Sequence, residues 1–283
     1  MTDLLIGAAD NYSWDQIRNW AKSIRRSGFE GKVILLCYRI TDPRISEECR
    51  KLDIDVYLCD SDNFGNPIKH NDRGRDTQSH QMRFFHMWQL LNTPTYKDKF
   101  DYVIATDVRD VIFQANPSDW LLDYGLKWIL APSEGIAYRN EPWGADNLQR
   151  GYGPLVWDSM KDETIFNVGT IAGPARLMVP LFLSIFSMGE GRYIPNDQST
   201  FNVLVRGILY EVSAYASMEL GWAAQCGTTL DPQKIEMLKP HLTESPPVIK
   251  NGLVYTTAGQ LFSLVHQYDR VPELNEIINK RYA

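Results

Sequence analysis

Tyr102-Val-Ile-Ala-Thr-Asp107-Val-Arg-Asp110-Val-Ile-Phe113 runs an apolar segment straight into two carboxylates and then turns apolar again. A short continuous run of this kind reads as a strand buried on both faces, as in parallel sheets. Ligands of open α/β sheets bind outside the carboxyl ends of the strands, where Asp107 and Asp110 fall. Acids there are poorly explained as solvated surface. Hard cations such as Mg²⁺ or Mn²⁺ take one or two carboxylates and complete their shell with phosphate oxygens and water, so the pair suits such an ion. The competing reading has one Asp capping a turn and the other paired with Arg109.

Upstream, apolar runs at residues 4–9, 33–38 and 55–59 read as further strands, joined by that at 102–105. Helical patterns over 13–26 and 42–52 separate the first three, and a βαβαβ rhythm demands a parallel sheet. Ser13 is placed as an N-cap, Trp14, Ile17, Trp20, Ala21 and Ile24 follow at helical spacing, and Gly28 is placed to end the helix. A polar stretch over 61–76 then breaks the rhythm ahead of a helix at 78–91. A loop that long inside a compact domain is usually functional. Downstream, strands are expected at 128–131, 165–172, 209–212, 248–249 and 253–256, and helices at 175–188, 198–205 and 272–280. Residues 137–157 form an aromatic and Gly-rich region in which Tyr138, Trp143, Tyr152 and Trp157 either stack on a ligand or pack in the core; Trp222 carries the same ambiguity.

The formal charge of −6 and a pI near 5.4 argue against a broad nucleic-acid footprint, which scales with clustered Lys and Arg. A small anion needs only a few cations, and Arg73, Arg75 and Arg83 stand close together in sequence. Cys37, Cys49, Cys59 and Cys226 form no metal-binding pattern and read as reduced, buried thiols of a cytosolic compartment. The apolar stretch at 177–186 falls short of the roughly 20 residues that span a bilayer, and no basic leader precedes residues 4–9. A cytoplasmic protein without a membrane span is expected.

Three more constellations carry chemistry. His266 ends an apolar run and is either a structural residue or, beside Asp107 and Asp110, a third ligand; imidazole suits Mn²⁺ better than Mg²⁺. In Phe166-Asn167-Val-Gly169 an amide interrupts a strand just before a glycine that lets a ligand approach the backbone, with a bulge as the alternative. Asp197-Gln198 opens a helix, where Asp197 either caps it or faces a ligand.

Gly7-Ala8-Ala-Asp10-Asn11-Tyr12 resembles the first strand and turn of glycosyltransferases of the GT-A fold, notably glycogenin-like and lipooligosaccharide galactosyltransferase-like retaining enzymes. The resemblance continues in order through Gln81-Met-Arg83-Phe, Asp107 as first acid of the DxD motif, Phe166-Asn167-Val-Gly, Asp197-Gln198 and His266. It departs where Arg109 stands in place of the second acid, which becomes Asp110, and the glycogenin-type His-x-x-Gly-x-x-Lys-Pro-Trp ending is missing.

The resemblance implies an α/β chain of one domain, 1–283, with a mostly parallel, Rossmann-like central sheet flanked by helices. Its nucleotide-binding part would cover about 1–115 and its acceptor side about 116–283. It implies transfer of a sugar from a nucleotide-diphosphate donor, UDP favoured and GDP possible, to a glycan or other hydroxyl acceptor. Ala8, Asp10, Asn11, Tyr12, Arg75, Arg83, Asp107 and Asn167 would bind the donor, and Asp107, Asp110 and His266 would hold Mn²⁺ or Mg²⁺. Asp197 and Gln198 would act at the anomeric carbon, Asp197 as base if the enzyme inverts and as charge stabiliser if it retains. The alternative, encouraged by Arg109, is a nucleotide-sugar or glycan-binding module without transfer.

Overall fold

The computed structural model describes residues 2–62, 65–66, 77–189 and 196–283. The chain begins β1 (Leu4–Asp10), α1 (Trp14–Arg26), β2 (Lys32–Tyr38), α2 (Arg44–Lys51) and β3 (Ile54–Leu58). It continues α3 (Thr77–Leu91), β4 (Tyr102–Thr106), β5 (Val111–Phe113), α4 (Pro117–Asp123), β6 (Ile129–Ala137) and α5 (Pro142–Met160). Then come β7 (Thr164–Phe166), β8 (Thr170–Pro174), α6 (Ala175–Gly189), α7 (Asp197–Arg206), β9 (Ser213–Ala216) and β10 (Ala223–Gln225). The last elements are α8 (Cys226–Thr229), α9 (Ile235–Leu238), β11 (Val248–Lys250), β12 (Leu253–Tyr255), β13 (Leu264–His266) and α10 (Pro272–Arg281).

The main sheet has the order β3-β2-β1-β4-β8-β6-β7, with β9 added beside β6. From β3 to β4 all pairing is parallel, and β9 is parallel to β6; β8 and β7 run against their neighbours. The order 3-2-1-4 reverses direction between β1 and β4, which opens a crevice at their carboxyl ends. Asp10 closes β1 there, and Asp107 follows β4 directly.

Alternation explains why the strands read as continuous apolar runs. Leu5, Ala9, Val33 and Leu35 face one core with Ile17, Trp20, Ile24, Trp120 and Trp222. Leu4, Ile6, Ile34 and Leu36 face the other, against Phe84, Met87, Phe182 and Ile185 of α3 and α6. Both faces are thus covered by helices. Helix α1 starts where the Ser13 amide donates to Gln16 Oε1 at 2.9 Å, and the chain turns away at Gly28 with φ +88°. Trp20 is fully buried and donates its indole N–H to Thr106 Oγ1 at 2.9 Å, tying α1 to the end of β4.

A smaller sheet, β10-β13-β5, stands beside the crevice. In it β13 is antiparallel to β5, with His266 opposite Val111, and parallel to β10, with His266 opposite Gln225. A residue from near the end of the chain is thereby carried to the acids flanking β5.

Several expectations are corrected. Residues 165–172 are two strands, β7 and β8, because Asn167–Gly169 form a hydrogen-bonded turn between them. The strand expected at 209–212 is a 3₁₀ turn at Tyr210–Val212, and pairing with β6 starts only at Ser213. The strand at 128–131 extends to Ala137. The Gly-rich region 137–157 is mostly helix: α5 passes through a kink at Gly153, φ +77°, followed by Pro154, so its glycines bend a helix rather than exclude one. Cys59 is only half-buried, while Cys37, Cys49 and Cys226 are buried, and all four are free thiols.

Candidate active site

The turn between β4 and β5 carries both acids, and neighbouring elements pin its backbone. The Asp107 amide donates to the Gly169 carbonyl at 2.9 Å, and the Gln267 amide donates to the Asp110 carbonyl at 2.7 Å. The first bond follows from β4 pairing with β8, Thr106 opposite Thr170. Glycine also leaves room for the acid: a Cβ on residue 169 would lie 2.8 Å from Asp107 Cγ, so any side chain there would push the carboxylate aside.

Asp107, Asp110 and His266 offer ligand atoms that all lie within 4.8 Å of one another. His266 Nε2 stands 3.6 Å from Asp107 Oδ2 and 3.9 Å from Asp110 Oδ1. Its other nitrogen, Nδ1, is 2.7 Å from Gln225 Oε1. Burial would raise the Asp107 carboxyl, but Arg83 and His266 hold it well below the usual range. Burial pushes Asp110 up, with His266 opposing and the Asp107 charge adding to the rise. Burial would lower the His266 pKa, yet the Asp107 and Asp110 carboxylates beside it raise it. Two carboxylates and an imidazole nitrogen open to a cleft form a donor set that fits Mn²⁺, and Mg²⁺ less well.

Arg83 of α3 reaches Asp107 with one terminal nitrogen and Asp197, at 2.8 Å, with the other. The N-cap of α7 is Asn196, so Asp197 is not the cap and is turned to the cleft, with Oδ1 accepting from the Gln198 amide at 3.0 Å. Arg109 makes an ion pair with Asp269 at 3.5 Å and also stands within the field of Asp110, so the neighbouring acid and Asp269 share its charge.

Two clefts meet at His80, Arg83 and Asp107. The first, about 420 Å³, is lined by Ala8, Asp10, Tyr12 and Tyr38 from the ends of β1 and β2. The second, about 490 Å³, is lined by Asn167, Gly169, Asp197, Gln198 and His266. Volumes of this size hold small ligands. Asp10 is bound by Arg39, whose Nε donates to Oδ1 at 3.0 Å. Asn11 adopts φ +52° and is exposed, and it does not line the first cleft. Arg73 and Arg75 lie outside the described residues. Of the aromatic residues of 137–157, Tyr138 is fully buried, Tyr152 and Trp157 pack against the same core, and Trp143, 52 % exposed, lines the second cleft. Trp222 is buried, donating its indole N–H to the Thr170 carbonyl at 2.8 Å.

Sequence reasoning missed Glu134, Gln225, Thr228 and Lys234. Glu134 is buried on the second cleft, accepts from Asn167 Nδ2 at 2.9 Å and from Thr228 at 3.2 Å, and has its pKa raised by burial. It follows the apolar run 128–131 as Asp107 follows 102–105, so the same signature was present.

No family model and no curated protein matches the sequence. Solved structures do resemble it. The apo structure of the WbbM bifunctional glycosyltransferase superposes with a TM-score of 0.56 at 14% identity, over 99% of this chain and 51% of that one. The chain therefore spans about half the length of WbbM. Galactosyltransferase LgtC, solved with donor and acceptor sugar analogues, gives a TM-score of 0.54 at 15% identity over 98% of this chain and 95% of that one. GlyE of Streptococcus pneumoniae TIGR4 gives 0.50 at 17%, over 94% and 54%. At these identities the likeness is one of fold, and the fold is GT-A-like, as the resemblance in sequence implied.

Proposed function

We propose that the chain is a metal-assisted glycosyltransferase that moves a sugar from a nucleotide-diphosphate donor, UDP-sugar favoured, to a glycan or other hydroxyl acceptor. One observation carries the reading: the Asp107, Asp110 and His266 group sits where the two clefts join. The first cleft takes the nucleoside. Tyr12 offers a ring for stacking and Asp10, oriented by Arg39, accepts a base N–H. The second takes the transferred sugar and the acceptor, with Trp143 on its rim.

Asp107, Asp110 and His266 would hold a divalent ion, which would supply positive charge to neutralise a diphosphate leaving group. Arg83, already fixed between two acids, adds preorganised positive charge beside that group. Asn167 is held by the Gly169 amide at 2.9 Å and by Glu134 at 2.9 Å, so its orientation toward the sugar is preset. Both Asp197 oxygens are engaged, by Arg83 and by the Gln198 amide.

A thermal-shift screen against UDP, GDP, CMP and ADP, with and without Mn²⁺, tests the reading, since a ligand of the folded state raises its stability. A Mn²⁺-enhanced shift with one diphosphate supports it and identifies the base. A shift with no transfer to any acceptor would leave the binding-module alternative, and no shift at all would defeat both.

A further inference from the structure

The hydrogen bonds behind His266 run in a direction that can be deduced atom by atom. Backbone N–H groups only donate, and the Gly169 amide points at Asn167 Oδ1 at 2.9 Å; that oxygen is therefore the acceptor end of the Asn167 amide. Its other end, Nδ2, donates to Glu134 at 2.9 Å, in agreement. The Thr170 hydroxyl, 3.3 Å from Asn167 Oδ1, spends its one proton there. Thr170 Oγ1 must then accept from Gln225, whose Nε2 lies 3.3 Å away. With the Gln225 amide so oriented, Oε1 is the end that faces His266 Nδ1, at 2.7 Å, and an acceptor there requires a proton on Nδ1.

We infer that Gln225 is a positioning residue: locked by Thr170 and Asn167, it commits His266 to the tautomer protonated on Nδ1 and turns the Nε2 lone pair toward Asp107 and Asp110. Thr170, Gln225, Asn167 and His266 are all at least nine-tenths buried, so water does not supply a competing partner on this side of the ring. Strand pairing puts them in place, since Gln225 is opposite His266 in the small sheet and Thr170 ends the Asn167 turn. The same chain of bonds ties the amide assigned to the donor sugar to the imidazole assigned to the metal. The inference rests on the metal reading above only for the use to which Nε2 is put.

Two readouts test it on the intact protein. Long-range ¹⁵N–¹H spectra of histidine-labelled, metal-free protein, in buffer alkaline enough to keep the ring neutral, report the tautomer. Titration of Mn²⁺ alone, followed by its electron paramagnetic resonance signal, reports affinity. Wild type should show His266 protonated on Nδ1. Gln225→Leu should mix the tautomers and weaken Mn²⁺ binding by about 10–100-fold, the usual effect of losing an outer-shell partner. Gln225→Glu, which still accepts from Nδ1, should keep the tautomer and hold Mn²⁺ at least as tightly. Should Gln225→Leu fail to fold, Thr170→Val frees the Gln225 amide to turn over and should mix the tautomers. A wild-type proton on Nε2, or an unchanged tautomer and affinity in Gln225→Leu, would overturn the inference. Wild-type protein protonated on Nδ1 yet blind to Mn²⁺ would support the assignment to Gln225 and remove the metal reading instead.

Discussion

Arg83 and Asp197 meet at 2.8 Å with 9% and 8% of their side chains exposed, and the same guanidinium also holds Asp107. Removing one partner of a buried pair strands the other charge, at a cost of about 3–5 kcal/mol. Arg83→Met should therefore lower the unfolding free energy by that order in urea denaturation. Arg83→Lys, lacking the planar fork, should fall between the two. Wild-type stability in Arg83→Met would mean that the pair opens in solution.

Asp107 should separate chemistry from stability, because its side chain is 34% exposed and Asp197 remains to hold Arg83. Asp107→Ala should reduce transfer by at least about 10²–10³ while the protein still melts cooperatively. Near-normal transfer in that variant would remove Asp107 from the metal and diphosphate site.

Gly169→Ala tests the close approach of two turns. The added methyl runs into the Asp107 carboxylate, so Mn²⁺ affinity should fall while the far-ultraviolet circular dichroism is kept. Unchanged Mn²⁺ binding would show that the β4–β5 turn can yield.

Burial raises the Glu134 carboxyl above its ordinary 4.5. The unfolded chain ionises near the ordinary value and the folded protein only at higher pH, so stability present below the first is lost as pH rises through the second. Glu134→Gln has no such titration. It should melt with the wild type near about pH 4 and increasingly above it toward about pH 8. A constant difference across that range would show that Glu134 does not titrate differently on folding.

Trp143 stands 52% exposed on the rim of the second cleft. Trp143→Ala should change stability by no more than about 0.5 kcal/mol and raise the KM for acceptor with little effect on that for donor. Equal effects on both KM values would place this side chain elsewhere in the reaction.

The parallel half of the sheet was legible because its signals are local. Ser13, Gly28 and the alternating apolar faces of 4–9 and 33–38 each depend on near neighbours in sequence. The acids after β4 were legible for the same reason, and the motifs from Asp10 to His266 became so through resemblance. Partners set by long-range pairing were not. Nothing near Gln225 shows that β10 lies against β13, and nothing near Asp10 shows that Arg39 binds it. Region 137–157 gave no element because Gly144, Gly151, Gly153 and Pro154 obscure a helical pattern, although only Gly153 takes a non-helical conformation within α5.

Because β5 finds its partner in β13, the acids at 107 and 110 wait for a residue made more than half a chain later. During synthesis β1 and β2 can pair early, while the Asp107, Asp110 and His266 group cannot close until residue 266 has emerged. On the proposed reading, a nascent chain would gain its grip on a metal ion, and with it its chemistry, only with its last strand.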